Sequence, residues 1–142
     1  GHMYSCGNVF LRMYLKDSFA DSDFHQHLSM SNLMDNTTCD GEMIETRLRT
    51  EVSNPAPGWT STESVFWNTK GLRYADHDTQ NSLSSKGLRI IQSYQRGHGY
   101  VIGTQGPAYA VSTTNFAEGI GQGAQLLPVS LYLDQRLKRL GY

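Results

Sequence analysis

The chain has 142 residues, the length of one domain or of part of a larger one, and can bury a hydrophobic core. Its 12 basic and 13 acidic residues nearly cancel, so no basic excess indicates a nucleic-acid partner. No apolar run is long enough to cross a bilayer, which argues against a membrane-spanning protein. The 14 glycines and the aromatic content of 11% favour β structure with many turns over a helical bundle.

The first three residues, Gly1-His2-Met3, are typical of a cloning scar and take no part in the functional reasoning. The two cysteines, Cys6 and Cys39, are expected to be buried free thiols, with one disulfide as the alternative. No CxxC spacing is present, so the sequence predicts no metal site of the zinc type.

The first periodic stretch, residues 8–16, alternates cleanly and predicts one strand with one face in a core. The face predicted to point inward carries Val9, Leu11, Met13 and Leu15. The face predicted to point outward is aromatic and basic, with Phe10, Arg12, Tyr14 and Lys16.

A polar cluster follows an aspartate-rich turn at residues 17–23. The turn favours a solvated loop, with a calcium loop as the alternative, although its spacing is not that of an EF-hand. In a strand, Asp23, His25 and His27 point to the same side. Such a row can bind a metal or move a proton, which makes these three the candidate catalytic residues. Alternatively, they hold a neighbouring loop by hydrogen bonds.

Residues 42–52 form a second alternating stretch, with Ile44, Thr46 and Leu48 predicted to point inward. Arg47 and Arg49 then point outward, and guanidinium forks suit carboxylate or sulfate groups. Together with nearby rings, they predict a substrate-binding face, with a solvated face of ion pairs as the alternative. Its candidate residues are Phe10, Arg12, Tyr14, Arg47, Arg49 and Trp59, the last being either a binding platform or a core residue.

Short strand-like units recur along the chain and start roughly 23 to 33 residues apart, which indicates a solenoid with one coil per repeat. Asn32, Asn36 and Asn68 are expected at bends, where stacked amides satisfy backbone groups between coils. Residues 128–140 predict a helix, because Pro128 is near its start and Gly141 follows its end. Its apolar stripe is expected to cover the last coil, and contains Val129, Leu133, Leu137 and Leu140.

Four segments, 23–33, 61–69, 99–104 and 128–140, resemble the later coils and the closing segment of bacterial right-handed parallel β-helix proteins. These proteins belong to the pectate-lyase-like superfamily. The resemblance implies an all-β, right-handed parallel β-helix of about five coils over residues 4–127, with a C-terminal capping α-helix and tail at 128–142. It also implies an extracellular or cell-surface protein whose partner is a polysaccharide.

The expected function is therefore that of a carbohydrate-binding module for an extracellular polysaccharide, acidic or sulfated because of the arginines. A polysaccharide lyase or glycoside hydrolase is the first alternative, with His25 or His27 as base. A trimeric β-helix of the tail-fibre type is the second. No cofactor is expected, with calcium as the alternative, and neither a membrane nor a nucleic acid is an expected partner.

Overall fold

The computed structural model describes residues 5–24, 28–50, 58–75 and 88–142, which form mostly short β-strands followed by a C-terminal α-helix. The predicted all-β class with a C-terminal helix is confirmed. The elements in chain order are β1 (Val9–Leu11), β2 (Tyr14–Lys16), β3 (Ser22–Asp23), β4 (Ser29–Met30), β5 (Leu33–Asp35), β6 (Thr38–Asp40), β7 (Ile44–Thr46), β8 (Leu48–Arg49), β9 (Gly58–Trp59), β10 (Ser61–Thr62), β11 (Val65–Arg73), β12 (Ile91–Ser93), β13 (Tyr100–Gln105), β14 (Val111–Thr113), β15 (Phe116–Glu118) and α1 (Leu131–Leu140).

Two parallel sheets make up most of the fold. The main sheet has the order β1-β5-β11-β13-β15, and β2 and β6 continue it beyond a bend. The second sheet has the order β3-β7-β12-β14. Strands β4 and β10 form a small parallel pair, whereas β8 and β9 pair antiparallel. Because neighbouring strands in each sheet are distant in the sequence, the chain returns repeatedly to the same sheet and adds a strand beside an earlier one.

The strands of the main sheet are stacked in register. One column of paired residues runs through all five strands of its main path and consists of Val9, Leu33, Val65, Tyr100 and Phe116. Side chains alternate along a strand, so the column that begins at Val9 and the column that begins at Leu11 lie on the outer face of the sheet. The column that begins at Phe10 lies on the opposite, inward face.

The hydrophobic core lies between the two sheets. The inward column of the main sheet supplies Met34, Phe66 and Val101, and the second sheet supplies Ile44 and Ile91. All five side chains are buried. Burial of one such apolar side chain stabilises the fold by about 1.5 to 3 kcal/mol, so this contact is a main reason why the sheets stay together.

Asparagines occupy the bends of the main sheet, as predicted. Asn36 and Asn68 have left-handed backbones with φ of 57° and 52°, a conformation that asparagine tolerates better than most residues. The side-chain amide of Asn68 donates to Oδ1 of Asn36 at 3.3 Å, and the amide of Asn8 donates to Oδ1 of Asn32 at 2.9 Å. The predicted stacking of amides between repeats is confirmed at these positions.

The prediction of one strand over residues 8–16 is wrong. Arg12 has φ of 55°, and this bend separates β1 from β2 and reverses the alternation. Phe10, predicted to point outward, is therefore paired with buried Met34 and belongs to the inward column. Leu15, beyond the bend, pairs with buried Cys39 and points inward as predicted.

The prediction of one strand over residues 42–52 holds only in its first half. Ile44 and Thr46 are buried as expected, but Leu48 is 42% exposed and Arg49 only 7% exposed. The cause is that the chain leaves the second sheet after β7, and Leu48 pairs antiparallel with Trp59 in β9. The last two positions of this stretch lie outside the described residues.

Helix α1 begins at Leu131, three residues later than predicted, and ends at Leu140. Ser130 caps it, and Gly141 follows with a left-handed backbone, as expected for a helix end. The helix was expected to cover the last repeat, but its start lies against β5. Hydrogen bonds attach the start of the helix to Asp35 of β5, and none of its residues is buried.

The two cysteines are free thiols with different environments. Cys39 is buried in the core, and burial raises the pKa of its thiol to about 12. Cys6 is exposed, so the expectation of burial holds for Cys39 and is wrong for Cys6.

Candidate functional site

The chain after β15 turns back across the outer face of the main sheet, and residues 119–130 are called the return segment. The indole N–H of Trp67 donates to the carbonyl of Pro128 at 3.0 Å. The amide of Asn36 donates to the carbonyl of Val129 at 2.7 Å. The segment thus passes from the last strand of the sheet over β13 and β11 to β5.

Two glycines allow the return segment to pack closely on the sheet. A Cβ on Gly123 would lie 2.5 Å from Oδ1 of Asn68, and a Cβ on Gly103 would lie 2.7 Å from Cδ2 of Leu126. Real Cβ atoms do not approach other heavy atoms so closely, so a side chain at either position would displace its neighbour, and Gly103 also has a left-handed backbone with φ of 67°. The return segment therefore lies in close contact with the strands at these two positions.

A groove of about 450 Å³ lies between the return segment and the sheet, and is called the outer groove. One wall comes from the outward side chains of β11, β13 and β15, and the other from the return segment. Its lining residues are Trp67, Ile102, Gly103, Glu118, Gly119, Gln122, Gln125 and Leu126. The groove therefore combines an indole and aliphatic groups with two amides and one carboxylate.

An aromatic pair adjoins the outer groove on the same face. Tyr100 and Phe116 are register partners on adjacent strands, with ring centroids 6.2 Å apart and planes inclined by 56°. Both rings are partly exposed to solvent. Each stands two residues before a groove residue on its own strand, Ile102 and Glu118 respectively, so the rings extend the apolar wall by one side-chain row.

Three of the predicted site residues meet at a second place, on the outer side of the second sheet. Arg49 forms ion pairs with Asp23 and with Glu45, the latter at 3.1 Å. Arg47 contacts the same Glu45 carboxylate at 2.9 Å. These four side chains are called the carboxylate–arginine cluster, and Trp59 lies close by through its pairing with Leu48.

Glu45 is the most enclosed acid of this cluster, at 5% exposure. Burial raises the pKa of its carboxyl, and the nearby Asp21 and Asp23 act in the same direction, while Arg47 and Arg49 oppose the shift. The amide of Gln92 approaches its other oxygen at 3.4 Å. Arg47 and Arg49 thus form ion pairs with carboxylates of the protein, as the alternative for this face expected, but Arg49 and Glu45 are buried and not solvated.

The remaining predicted binding residues are dispersed. Phe10 lines a separate cavity of about 330 Å³ beside the inward side chains of the first strands, including Met13 and Met34. Arg12 forms the bend after β1. Tyr14 points outward from β2 and donates its hydroxyl to Asp40 at 2.9 Å, a bond that raises the pKa of the phenol.

The expected common face of Phe10, Arg12, Tyr14, Arg47 and Arg49 is therefore not formed: the first three belong to the main sheet and its bend, the arginines to the second sheet and the hairpin. Of the catalytic candidates, His25 and His27 lie outside the described residues. Asp23 is described and holds Arg49.

Sequence reasoning missed the outer groove. The run of glycines at 119, 121 and 123 was a usable signal, because closely spaced glycines often mark a close approach of two backbones. The aromatic pair had no such signal, because it depends on the register of β13 with β15. The partners of the return segment had none, since they depend on contacts between distant parts of the chain.

Within the described ranges, no group of three His, Cys, Asp or Glu side chains is arranged to hold a metal ion. No helix in the described part of the chain has the length and apolarity needed to cross a membrane. Comparisons with protein-family models, with curated proteins and with solved structures gave no match to this chain.

Proposed function

We propose that the chain forms the coils of a right-handed parallel β-helix that resembles the pectate-lyase-like superfamily. Three features support this: the five-strand column of the main sheet, the parallel registers of the second sheet, and the left-handed bends at matching places in successive repeats. Each repeat would then be one coil, and the return segment would lie along the outside of the stack.

We infer that this protein binds a polysaccharide in the outer groove, as an extracellular or cell-surface module. The observation that carries this proposal is the combination of exposed rings with planar amides along one groove. Sugar rings have apolar faces that pack on aromatic side chains, and their hydroxyls both donate and accept hydrogen bonds, as amides do. The groove volume of about 450 Å³ lies within the range of about 300 to 1,000 Å³ usual for ligand sites.

The shape of the site suits a chain-like ligand better than a small compact one. The wall crosses three adjacent strands, from Trp67 through Ile102 to Glu118, so it runs along the stack. Parallel strands are spaced about 4.8 Å apart, which gives the wall a length of about 10 Å along the stack. The aromatic pair lies on β13 and β15 and widens this wall by one side-chain row. More than one sugar unit of a polymer can therefore lie along it.

The test is a binding screen of the purified chain against immobilised neutral, uronate and sulfated polysaccharides, with and without calcium. Phe116→Ala and Gln122→Ala should each weaken binding of the selected polymer by about tenfold, a typical effect for one stacking ring or one good hydrogen bond. Phe19→Ala is the matched control, because Phe19 is fully exposed on the loop after β2. Equal losses in all three variants, or no binding to any polymer, would contradict the proposal.

A lyase or hydrolase is the second candidate, and one observation favours it. Glu45 is a buried carboxyl with a raised pKa beside the carboxylate of Asp23, and pairs of acids in different environments are common in glycan-cleaving enzymes. The same mixtures should be read for unsaturated uronates and for new reducing ends. Turnover that is lost in Glu45→Gln, with binding retained, would favour the enzyme over the binding module.

A further inference from the structure

We propose that the outer groove selects uncharged glycans and discriminates against uronate and sulfated ones; this rests on the proposed function and names its ligand class. The proposal comes from the charge of the lining. Of its eight residues, Glu118 carries the only formal charge, and none is Lys, Arg or His. A bound carboxylate or sulfate would meet a like charge and, among these eight residues, no cation to offset its lost hydration.

The arginines that suggested an acidic ligand are occupied elsewhere. Arg47 and Arg49 contact Glu45 and Asp23 on the second sheet, not on the face that carries the outer groove. Arg73, at the end of β11, is likewise held by Asp40 at 2.7 Å and by Asp17. Each of these guanidinium groups already has a carboxylate partner, so none is free to attract an acidic polymer.

The position of Glu118 makes it the main determinant of this selectivity. It is exposed on β15, and its register partner is Ile102 in the wall of the groove. An ionised carboxylate only accepts hydrogen bonds, and its two oxygens can accept from two neighbouring sugar hydroxyls. The group that would bind the hydroxyls of a neutral sugar would repel the acid group of a uronate.

The two glutamines of the opposite wall carry no charge. Gln122 and Gln125 lie in the return segment and are exposed toward solvent. Each amide offers two donor hydrogens and one acceptor oxygen, which matches the mixed donor and acceptor character of hydroxyls. A sulfate or carboxylate only accepts hydrogen bonds, so it would use the donors and leave the amide oxygens without a partner from the ligand. Both walls therefore favour an uncharged ligand.

Pairs of polymers that share a backbone, one member neutral and the other negatively charged, provide the test. Three such pairs are methyl-esterified and unesterified galacturonan, hydroxyethyl and carboxymethyl cellulose, and dextran and dextran sulfate. At low salt we expect at least one neutral member to bind and its charged counterpart to bind at least about tenfold more weakly, as one like-charge contact in a groove requires. The difference should shrink at about 0.15 M salt, where the screening length falls to about 8 Å.

Glu118→Gln should bring the affinity of the charged member closer to that of the neutral member in the same pair. The matched control is Glu63→Gln, which removes a carboxylate from an exposed bend before β11 and should keep the original difference. Equal or tighter binding of the charged members would overturn this inference while leaving glycan binding intact. An unchanged difference in Glu118→Gln would also overturn it. Binding to no member of any pair would instead overturn the proposed function itself.

Discussion

Ser130 Oγ donates a hydrogen bond of 2.8 Å to Oδ2 of Asp35, which stands 95 residues earlier in the chain. The same carboxylate oxygen accepts the backbone N–H of Tyr132 at 2.8 Å, and Ser130 Oγ accepts the N–H of Leu133 at 3.2 Å. Asp35 is fully buried, whereas no residue of helix α1 is. A buried carboxylate at the positive end of the helix thus attaches the helix to the sheet, while the first turn of the helix is only half-buried.

Replacing Asp35 with Ala should lower the free energy of unfolding by about 2 to 3 kcal/mol, because buried donors lose their charged acceptor. Ser130→Ala should lower it by about 1 kcal/mol, as expected for the loss of a helix cap. Urea unfolding monitored by circular dichroism measures both. The double variant should lose less than the sum, since both changes remove the same bond. Additive losses would mean that the two side chains do not interact in solution.

The bend at Asn68 allows the amide and the backbone to be tested separately. Its amide donates to Asn36 and its Oδ1 accepts from Gln105 at 2.8 Å, while φ is 52°. Asn68→Gly keeps the bend and should cost about 1 to 2 kcal/mol of stability for the lost hydrogen bonds. Asn68→Ala should cost about 1 kcal/mol more, because alanine is strained in this conformation.

Arg12 provides the control for that comparison. It has nearly the same φ, 55°, on a residue type that does not favour it. Arg12→Gly should therefore be neutral or should stabilise the chain by up to about 1 kcal/mol, as seen in the same urea titration. If Arg12→Gly destabilises the chain as much as Asn68→Gly does, the effect at Asn68 comes from introducing a glycine and not from losing the amide.

The bends also show how far the fold was predictable. The bends at Asn36 and Asn68 were predictable because asparagine is common in left-handed bends, and the recurrence of strand patterns around them indicated stacking. The equivalent bend at Arg12 was not predicted, because arginine does not favour a left-handed backbone. The prediction therefore exchanged the inward and outward positions of Val9 and Phe10. A slip of one residue inverts every side chain before it, which is why this unmarked bend misplaced Phe10. Arg47 and Arg49 were misplaced for a different reason, since the chain leaves the second sheet after β7.

Stability should depend on pH through Glu45. Burial raises the pKa of its carboxyl in the folded chain above the unfolded value of about 4.3. The folded state therefore keeps this proton to a higher pH than the unfolded chain does. The contribution of Glu45 is fully present below the unfolded pKa and is lost as the pH rises through the raised folded value.

Glu45→Gln removes this titration. The stability of the unmodified chain minus that of the variant should fall as the pH rises from the unfolded pKa through the raised folded pKa, measured by urea unfolding at constant ionic strength. Glu63→Gln, at an exposed bend, serves as the control for the loss of one negative charge. A difference that rises with pH would mean that Arg47 and Arg49 outweigh burial at this site.

The packing of the return segment can be tested with two glycines of nearly equal backbone. Gly103 has φ of 67° and Gly7 has φ of 68°, so alanine at either position meets the same strain of about 1 kcal/mol. A Cβ on Gly7 has no atom within 4 Å, whereas one on Gly103 would press against Leu126. Gly103→Ala should therefore cost about 1 to 3 kcal/mol more than Gly7→Ala in urea unfolding, the usual range for overpacking.

The same pair separates stability from ligand binding. Gly103 and Leu126 both line the outer groove, so a displaced return segment changes the distance between the two walls. Gly103→Ala should thus weaken polysaccharide binding even at temperatures where the chain is fully folded, whereas Gly7→Ala should not. If both variants bind equally well, the return segment is not the second wall of the binding site, and the aromatic pair Tyr100 and Phe116 would have to hold the ligand on an open surface.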